Sequence, residues 1–255
     1  MLKFICSSFV GILITVAVAA QDKAVWLKEA ENLLRQLNET AALDKYKQVL
    51  AVDAVNTVAL VKAAELTANV GARLTDKKQS KEKKIWFETA YAYAQRAYKT
   101  DTASADANYV MAMASGKMTE VEDENKKVVA FVRDIKLYAD KALAINPNHA
   151  KANFTLGKWH MEMTNLSFVK KMAVKAFYGG LPEGKMDEAI KYMEKCRSLD
   201  PYFMLNYLEL AKAYEQENRP TQAIEVLQKM VKLPLRTADD ASLKAEGKKK
   251  LDGLL

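Results

Sequence analysis

Three lysines and six apolar side chains carry what chemistry this chain offers: Lys151, Lys158 and Lys212, with Tyr109, Met113, Phe154, Met161, Leu205 and Leu208. An apolar lining with a few fixed cations suits two kinds of ligand. A protein or peptide segment held in a groove is the first. An acidic amphiphile is the second, its acyl chain against Tyr, Phe, Met and Leu and its phosphate or carboxylate against lysine. The same apolar residues could instead pack against a neighbouring helix. Covalent chemistry has no comparable set. His160-Met161-Glu162 imitates the H-x-E of zinc deaminases, but no P-C-x-x-C follows, and His160 fits better as an aromatic-like packing residue. Gly179-Gly180 runs into Leu181-Pro182 and reads as a turn, not a phosphate loop. Acidic residues alternate with lysine as helix pairs do, so no carboxylate dyad stands out. The chain therefore reads as non-enzymatic, with no metal and no cofactor.

Those nine residues share a face only if a helical repeat positions them. Met204 to Leu235 supplies the template. Tyr207-x2-Leu210-Ala211-x2-Tyr214-x8-Ala223-x3-Leu227-x2-Met230 follows the tetratricopeptide pattern of roughly 34 residues, with Asn218-Arg219 as the turn and Pro220 in the first turn of the second helix. The second-helix half recurs from Ala42, Ala90, Ile135 and Ala189 as well as from Ala223. First helices precede each: Trp26, Ala30 and Leu33; Leu60, Ala63-Ala64 and Thr67; Asn108, Met111-Ala112 and Ser115; Asn153, Leu156-Gly157 and His160. The expected fold is all-α, a tetratricopeptide-like solenoid of about five helix pairs over residues 21–255. Its concave surface is built from first-helix residues not committed to packing, and these include the nine.

Only the interval from Ala189 to Ala223 has the standard length, so the others carry insertions. The charged runs TDKKQSKEKK and TEVEDENKK fit lengthened helix–helix connections. A longer insertion, MEMTNLSFVKKMAVKAFYGGLPEGK, sets Leu166, Val169, Met172, Ala173, Ala176 and Phe177 at helical spacing. An inserted amphipathic helix within 164–178 follows, expected to pack on its own repeat as additional core, with a lid or a membrane contact as the alternative. A C-terminal capping helix is expected from about 238, as solenoid ends require.

The chain carries a formal charge of +7. Lys and Glu interleave throughout, which describes a solvated helical surface; a nucleic-acid partner is not expected. Residues 1–20 have one lysine, an apolar run from Phe4 and Val18-Ala19-Ala20 at the end, the form of a secretory signal cleaved after Ala20. An exported, periplasmic or secreted protein is the expectation, with an uncleaved anchor as the alternative. Cys6 lies too early to be a lipobox cysteine, so Cys196 would be the sole mature cysteine, expected buried and inert. Three formal sequons begin at Asn38, Asn153 and Asn165, the second on a packing face. Lys158 and Lys212, read as exposed, should contribute little to folding, so that reversing both to glutamate would spare stability. Oligomeric state is not legible.

The run Leu156-Gly157-Lys158-Trp159, then Ala176-Phe177-Tyr178-Gly179-Gly180-Leu181-Pro182, Glu188-Ala189, Leu199-Asp200-Pro201, Asn206-Tyr207-Leu208 and Lys232-Leu233-Pro234 resembles the regulator of microtubule dynamics proteins. The resemblance runs from about Ala24 to Leu255 and is most specific from Asn146 to Pro234. It implies a helical, tetratricopeptide-like domain without enzymatic activity. One animal branch of that family tethers endoplasmic reticulum to mitochondria and binds phospholipid in this domain, and another associates with microtubules. This chain departs from them in opening on an export signal, without a long anchor or coiled coil. In a bacterial chain the microtubule role would not carry over, whereas lipid binding would remain open.

Overall fold

The computed structural model describes residues 22–255; the export signal read in residues 1–20 lies outside them, as do the side chains of Phe168 and Val169. The described residues form twelve α-helices: α1 at 22–35, α2 (Glu39–Val52), α3 (Thr57–Ala72), α4 (Ser80–Thr100), α5 (Ala105–Thr119), α6 (Asn125–Ile145), α7 (Ala150–Asn165), α8 (Phe168–Tyr178), α9 (Met186–Leu199), α10 (Met204–Gln216), α11 (Pro220–Met230) and α12 (Asp240–Asp252). Five pairs result, α1/α2, α3/α4, α5/α6, α7/α9 and α10/α11, with α8 inserted in the fourth and α12 closing the last.

One local device sets the repeat. Four of the five second helices end on an Asx residue, Asp53, Asp101, Asn146 or Asp200, whose N–H still bonds back into the helix. At the last three, the side-chain oxygen then accepts the N–H two residues on, from Ala103, Asn148 and Tyr202 at 3.0, 3.0 and 3.2 Å. An Asx turn of this kind stops a helix without leaving its carbonyls in a long loop. Three residues after the first three Asx stops a capping side chain, Asn56, Ser104 or His149, accepts from the N–H of Ala59, Ala107 or Ala152 and starts the next first helix. Successive pairs are thus joined by turns of one length, which keeps them stacked in register.

Small residues set how closely the helices approach. Ala42, Ala63, Ala64, Ala90, Ala139, Ala142, Ala189, Ala211 and Ala223 are fully buried where axes cross. At Gly157 of α7 even a methyl group is excluded, since a Cβ there would sit 2.9 Å from Met193 Cγ and 3.0 Å from the Ala189 carbonyl oxygen of α9. First helices α3, α5, α7 and α10 touch one another in succession, whereas the second helices pack on first helices. The first helices therefore make the tighter, inner layer and the second helices the outer one.

Two expectations about insertions are corrected. The charged runs are partly helical rather than connections: α4 starts at Ser80 and α6 at Asn125, because Lys and Glu are good helix formers and the added turns are tied by Lys83 to Glu120 at 3.1 Å and Lys84 to Asp123 at 3.8 Å. The inserted helix α8 does not extend the core. It rests on α6 through half-buried Val174 and Tyr178, while Met172, Ala173, Ala176 and Phe177 are exposed, Phe177 at 78 %. α12 caps the last pair as expected, burying Leu251 and laying Gly247 against Met230. Its start is also tied to the other end of the chain: Arg73, at the end of α3, bonds Glu39 of α2 and Asp239 just before α12, the latter at 2.6 Å.

Candidate functional site

The inner layer carries two carboxylates that are almost wholly withdrawn from water, Glu65 on α3 and Glu209 on α10, with side chains 11 % and 8 % exposed. Each is held between two lysines. Glu65 meets Lys62 at 3.4 Å, one turn back on its own helix, and Lys151 of α7 at 2.5 Å. Glu209 meets Lys212 at 2.9 Å, one turn on, and Lys158 of α7 at 2.9 Å. Lys151 and Lys158 are two turns apart, so they leave α7 on one face, Lys158 reaching the adjacent α10 and Lys151 reaching past α5 to α3. A buried carboxylate is stable only if paired, and pairing across helices fixes their spacing.

Charge states follow from this geometry. Burial alone would raise the Glu65 carboxyl, but Lys151 and Lys62 outweigh it and hold it at about 2. Burial likewise opposes ionisation of Glu209, and Lys158 and Lys212 overcome it, leaving the carboxyl below its ordinary value. Burial would lower the Lys151 ammonium, yet the Glu65 charge raises it; Lys212 is raised in the same way by Glu209. Beside the Glu65 cluster, His149 accepts the Ala152 N–H at Nδ1 and faces Asp106 at 2.9 Å through Nε2, which makes Nε2 the donor. That hydrogen bond lowers the Asp106 carboxyl. Lys212 also reaches Glu246 of α12 at 3.4 Å, and Lys158 reaches Glu162 at 3.8 Å.

The nine residues singled out in the sequence divide. The three lysines stand on first helices, and each is already paired, Lys151 with Glu65, Lys158 and Lys212 with Glu209. Met161 and Leu208 are 3 % and 1 % exposed and belong to the core of the C-terminal pairs, so they do not line a surface. Tyr109 is buried in the N-terminal core with the Lys151 ammonium 5.9 Å from its ring centre, and burial raises its phenol well above the ordinary value. Phe154 is buried edge-on to Phe203 at 5.0 Å. Met113 and Leu205 remain half-exposed. The apolar part of the expected lining thus mostly packs, as helix contact requires.

Sequence reasoning missed Glu65 and Glu209, though a signal was present. Five residues after the fourth-position residues Leu60, Asn108, Asn153 and Tyr207 stand Glu65, Met113, Lys158 and Lys212, one equivalent inner site in four repeats. Glu209 directly follows Leu208. Reading acids only as i,i+3 partners of lysine hid their place on the inner layer. Among the described residues no group of three or more His, Cys, Asp or Glu side chains could hold a metal ion. Two shallow surface pockets lie elsewhere, one of about 250 Å³ lined by Glu194, Arg197, Ser198, Tyr207 and Lys229, the other of about 420 Å³ between α12 and Val231-Leu235.

A family profile described as Regulator of microtubule dynamics protein 1-3 matches residues 26–255. Regulator of microtubule dynamics protein 1 of Mus musculus is 27 % identical over 180 residues, which are 70 % of this chain and 58 % of that protein. The Bos taurus protein of the same name is 24 % identical over 93 % of this chain and 75 % of its own length. The matched stretch therefore spans less than two thirds of the mouse relative. Among solved structures, a thermophilic TPR protein of Thermus thermophilus superposes with a TM-score of 0.62 at 14 % identity, covering 90 % of this chain and 98 % of that one, which establishes the shared fold.

Proposed function

The chain belongs to the Regulator of microtubule dynamics protein 1-3 family, and we propose that it is an exported, non-enzymatic scaffold that holds a protein or peptide segment along its inner layer. The observation that carries this reading is the pairing of every inner lysine with a carboxylate. Lys62, Lys151, Lys158 and Lys212 face Glu65, Glu162, Glu209 and Glu246, four cations to four carboxylates, so the layer has no surplus of cations to draw an acidic lipid. A peptide bearing both signs can replace these pairs one for one, each exchange trading one charge-assisted bond for another. Half-exposed Leu205 and Met113 add apolar contact beside the charges.

The test is selection of peptides from a displayed library against the folded chain. Selected peptides should carry both acids and bases and should lose about tenfold in affinity on Lys158→Met, the loss expected for one charge-assisted hydrogen bond. The same change in Lys171, on α8, should leave their affinity unaltered. Peptides indifferent to Lys158→Met would overturn the reading. So would an acidic lipid in the native mass spectrum of the isolated protein that Lys158→Met expels and Lys175→Gln retains, which would put the amphiphile in its place. Export rests on residues 1–20, and a mature N-terminus at Gln21 in material from the source cell is the expected result.

A further inference from the structure

α8 is turned the wrong way round for a core helix. At about 100° per residue, Met172, Phe177, Ala173 and Ala176 fall within a stripe about 140° wide, and all four are exposed. The side facing the protein is the narrower one, where half-buried Val174 and Tyr178 meet α6. On the same helical wheel Lys170 borders the apolar stripe on one side and Lys175, with Lys171 behind it, on the other. All three lysines are exposed, and the sequence has no acid from Met163 to Pro182. Among the described residues none of the three is in an ion pair.

The helix is nonetheless held firmly in this orientation. Ser167 caps its start by accepting the Lys170 N–H at 3.4 Å. Its end turns on Gly179 and Gly180, both with positive φ, where Val174 accepts the Gly180 N–H at 3.2 Å. Arg133 of α6 then bonds the Tyr178 and Gly180 carbonyls, the second at 2.8 Å, and so ties the basic helix to the outer layer. The contacts of α8 are thus with α6 of the outer layer, not across the inner one.

We propose that α8 is a membrane-surface helix that lays Met172, Ala173, Ala176 and Phe177 into the interfacial zone of an anionic bilayer, with Lys170 and Lys175 on the lipid phosphates. An apolar stripe bordered by lysine stems, whose ammonium groups reach back to the headgroups, has the form that such a surface takes up. Charge selects this occupant. A protein groove complementary to the apolar stripe would leave like charges at both its rims to be matched one by one, whereas an anionic leaflet matches them wherever the helix lands. The reading is independent of what the inner layer binds.

A local probe tests it in the full chain, where an N-terminal apolar segment could itself bind membrane. Cys6→Ser with Phe177→Cys leaves one reactive thiol, since Cys196 is fully buried. An environment-sensitive fluorophore at 177 should shift to the blue with phosphatidylglycerol vesicles, stay unshifted with phosphatidylcholine vesicles, and revert in high salt. The same fluorophore on Val55→Cys, an exposed site in the first repeats, should not shift. Lys170→Gln and Lys175→Gln should each weaken the vesicle titration by about fivefold, and Lys171→Gln, on the side turned away from the stripe, should weaken it less. An unshifted probe at 177, or an equal shift with neutral vesicles, would overturn the proposal. A concentration-dependent shift without vesicles would also overturn it and make a second copy of the chain the occupant.

Discussion

Lysines two turns apart on α7 and lysines one turn apart on α8 look alike in the sequence, each set interleaved with aromatic residues and methionine, yet they end in opposite circumstances. On α7, Lys151 and Lys158 reach Glu65 and Glu209, and the apolar residues between them, Phe154 and Leu156, are buried. On α8, Lys170, Lys171 and Lys175 meet no carboxylate among the described residues, and of the apolar residues between them Met172 and Ala173 stand in solvent. What differs is the neighbour. α7 lies in the inner layer with a first helix on each side, whereas α8 touches the rest of the fold chiefly along α6. A lysine acquires a structural role where an acid is withdrawn from water beside it; otherwise it is left to recruit a partner from outside.

Charge reversal should separate the two regions most sharply. Lys158→Glu with Lys212→Glu takes both cations from Glu209 and puts two anions in their place, and an uncompensated buried charge costs about 3–4 kcal/mol. The midpoint of urea unfolding should fall accordingly, at unchanged slope. The sequence alone led to the opposite expectation, that both lysines were exposed and dispensable; with Glu209 8 % exposed between them, they are not. Lys171→Glu with Lys175→Glu should change stability by no more than about 0.5 kcal/mol, as exposed surface sites do. If the two double variants proved equally stable, the contrast between α7 and α8 would have no energetic content.

Acid should reveal the same contrast more gently. The Glu65 carboxyl is held at about 2 by Lys151 and Lys62, below the ordinary value it regains on unfolding, so the unfolded chain takes up the proton first as pH falls. The stabilisation is therefore complete above about pH 5 and disappears as pH approaches 2. Its size is on the order of 3 kcal/mol. Glu65→Gln should be less stable than the parent at pH 7 and indistinguishable from it near pH 2, measured by denaturant titration at each pH. Glu209→Gln should follow the same course, since its carboxyl is also lowered. A parallel offset at every pH would mean that packing, not charge, accounts for the loss.

The repeat itself was legible because its signals are local. Small residues at Ala63-Ala64, Gly157 and Ala211, Asx stops at Asp101, Asn146 and Asp200, and Pro220 at the start of α11 each act within a turn of where they stand, and the structure uses them so. Cys196 is likewise buried where expected, its thiol pushed up to about 12 by that burial. The inner layer was legible only in part, because Glu65 and Lys151 are 86 residues apart and only the curvature of the stacked first helices brings them together. The outward face of α8 was not legible at all. Periodicity shows that a helix has an apolar stripe but not which way the stripe faces, and here Arg133, far upstream, decides it.

Arg133 gives the smallest expected change and the finest separation of the two regions. Its guanidinium is on the exposed surface and bonds two carbonyls at the end of α8, so Arg133→Ala removes a surface cap and should alter global stability by no more than about 0.5 kcal/mol. Its effect should instead be local. α8 depends on that tie and on the half-buried Val174 and Tyr178 for its place, and elements with so few buried contacts open at low free energy. Amide exchange in residues 170–178 should accelerate severalfold in the variant, while the amides of α7 between Ala152 and His160, locked by Gly157 against α9, keep their rates. Faster exchange in both helices would show α8 to be coupled to the core through more than Arg133. Unchanged exchange in both would show that the Tyr178 and Gly180 carbonyls need no donor from α6, and that the glycine turn alone sets the direction in which Phe177 faces.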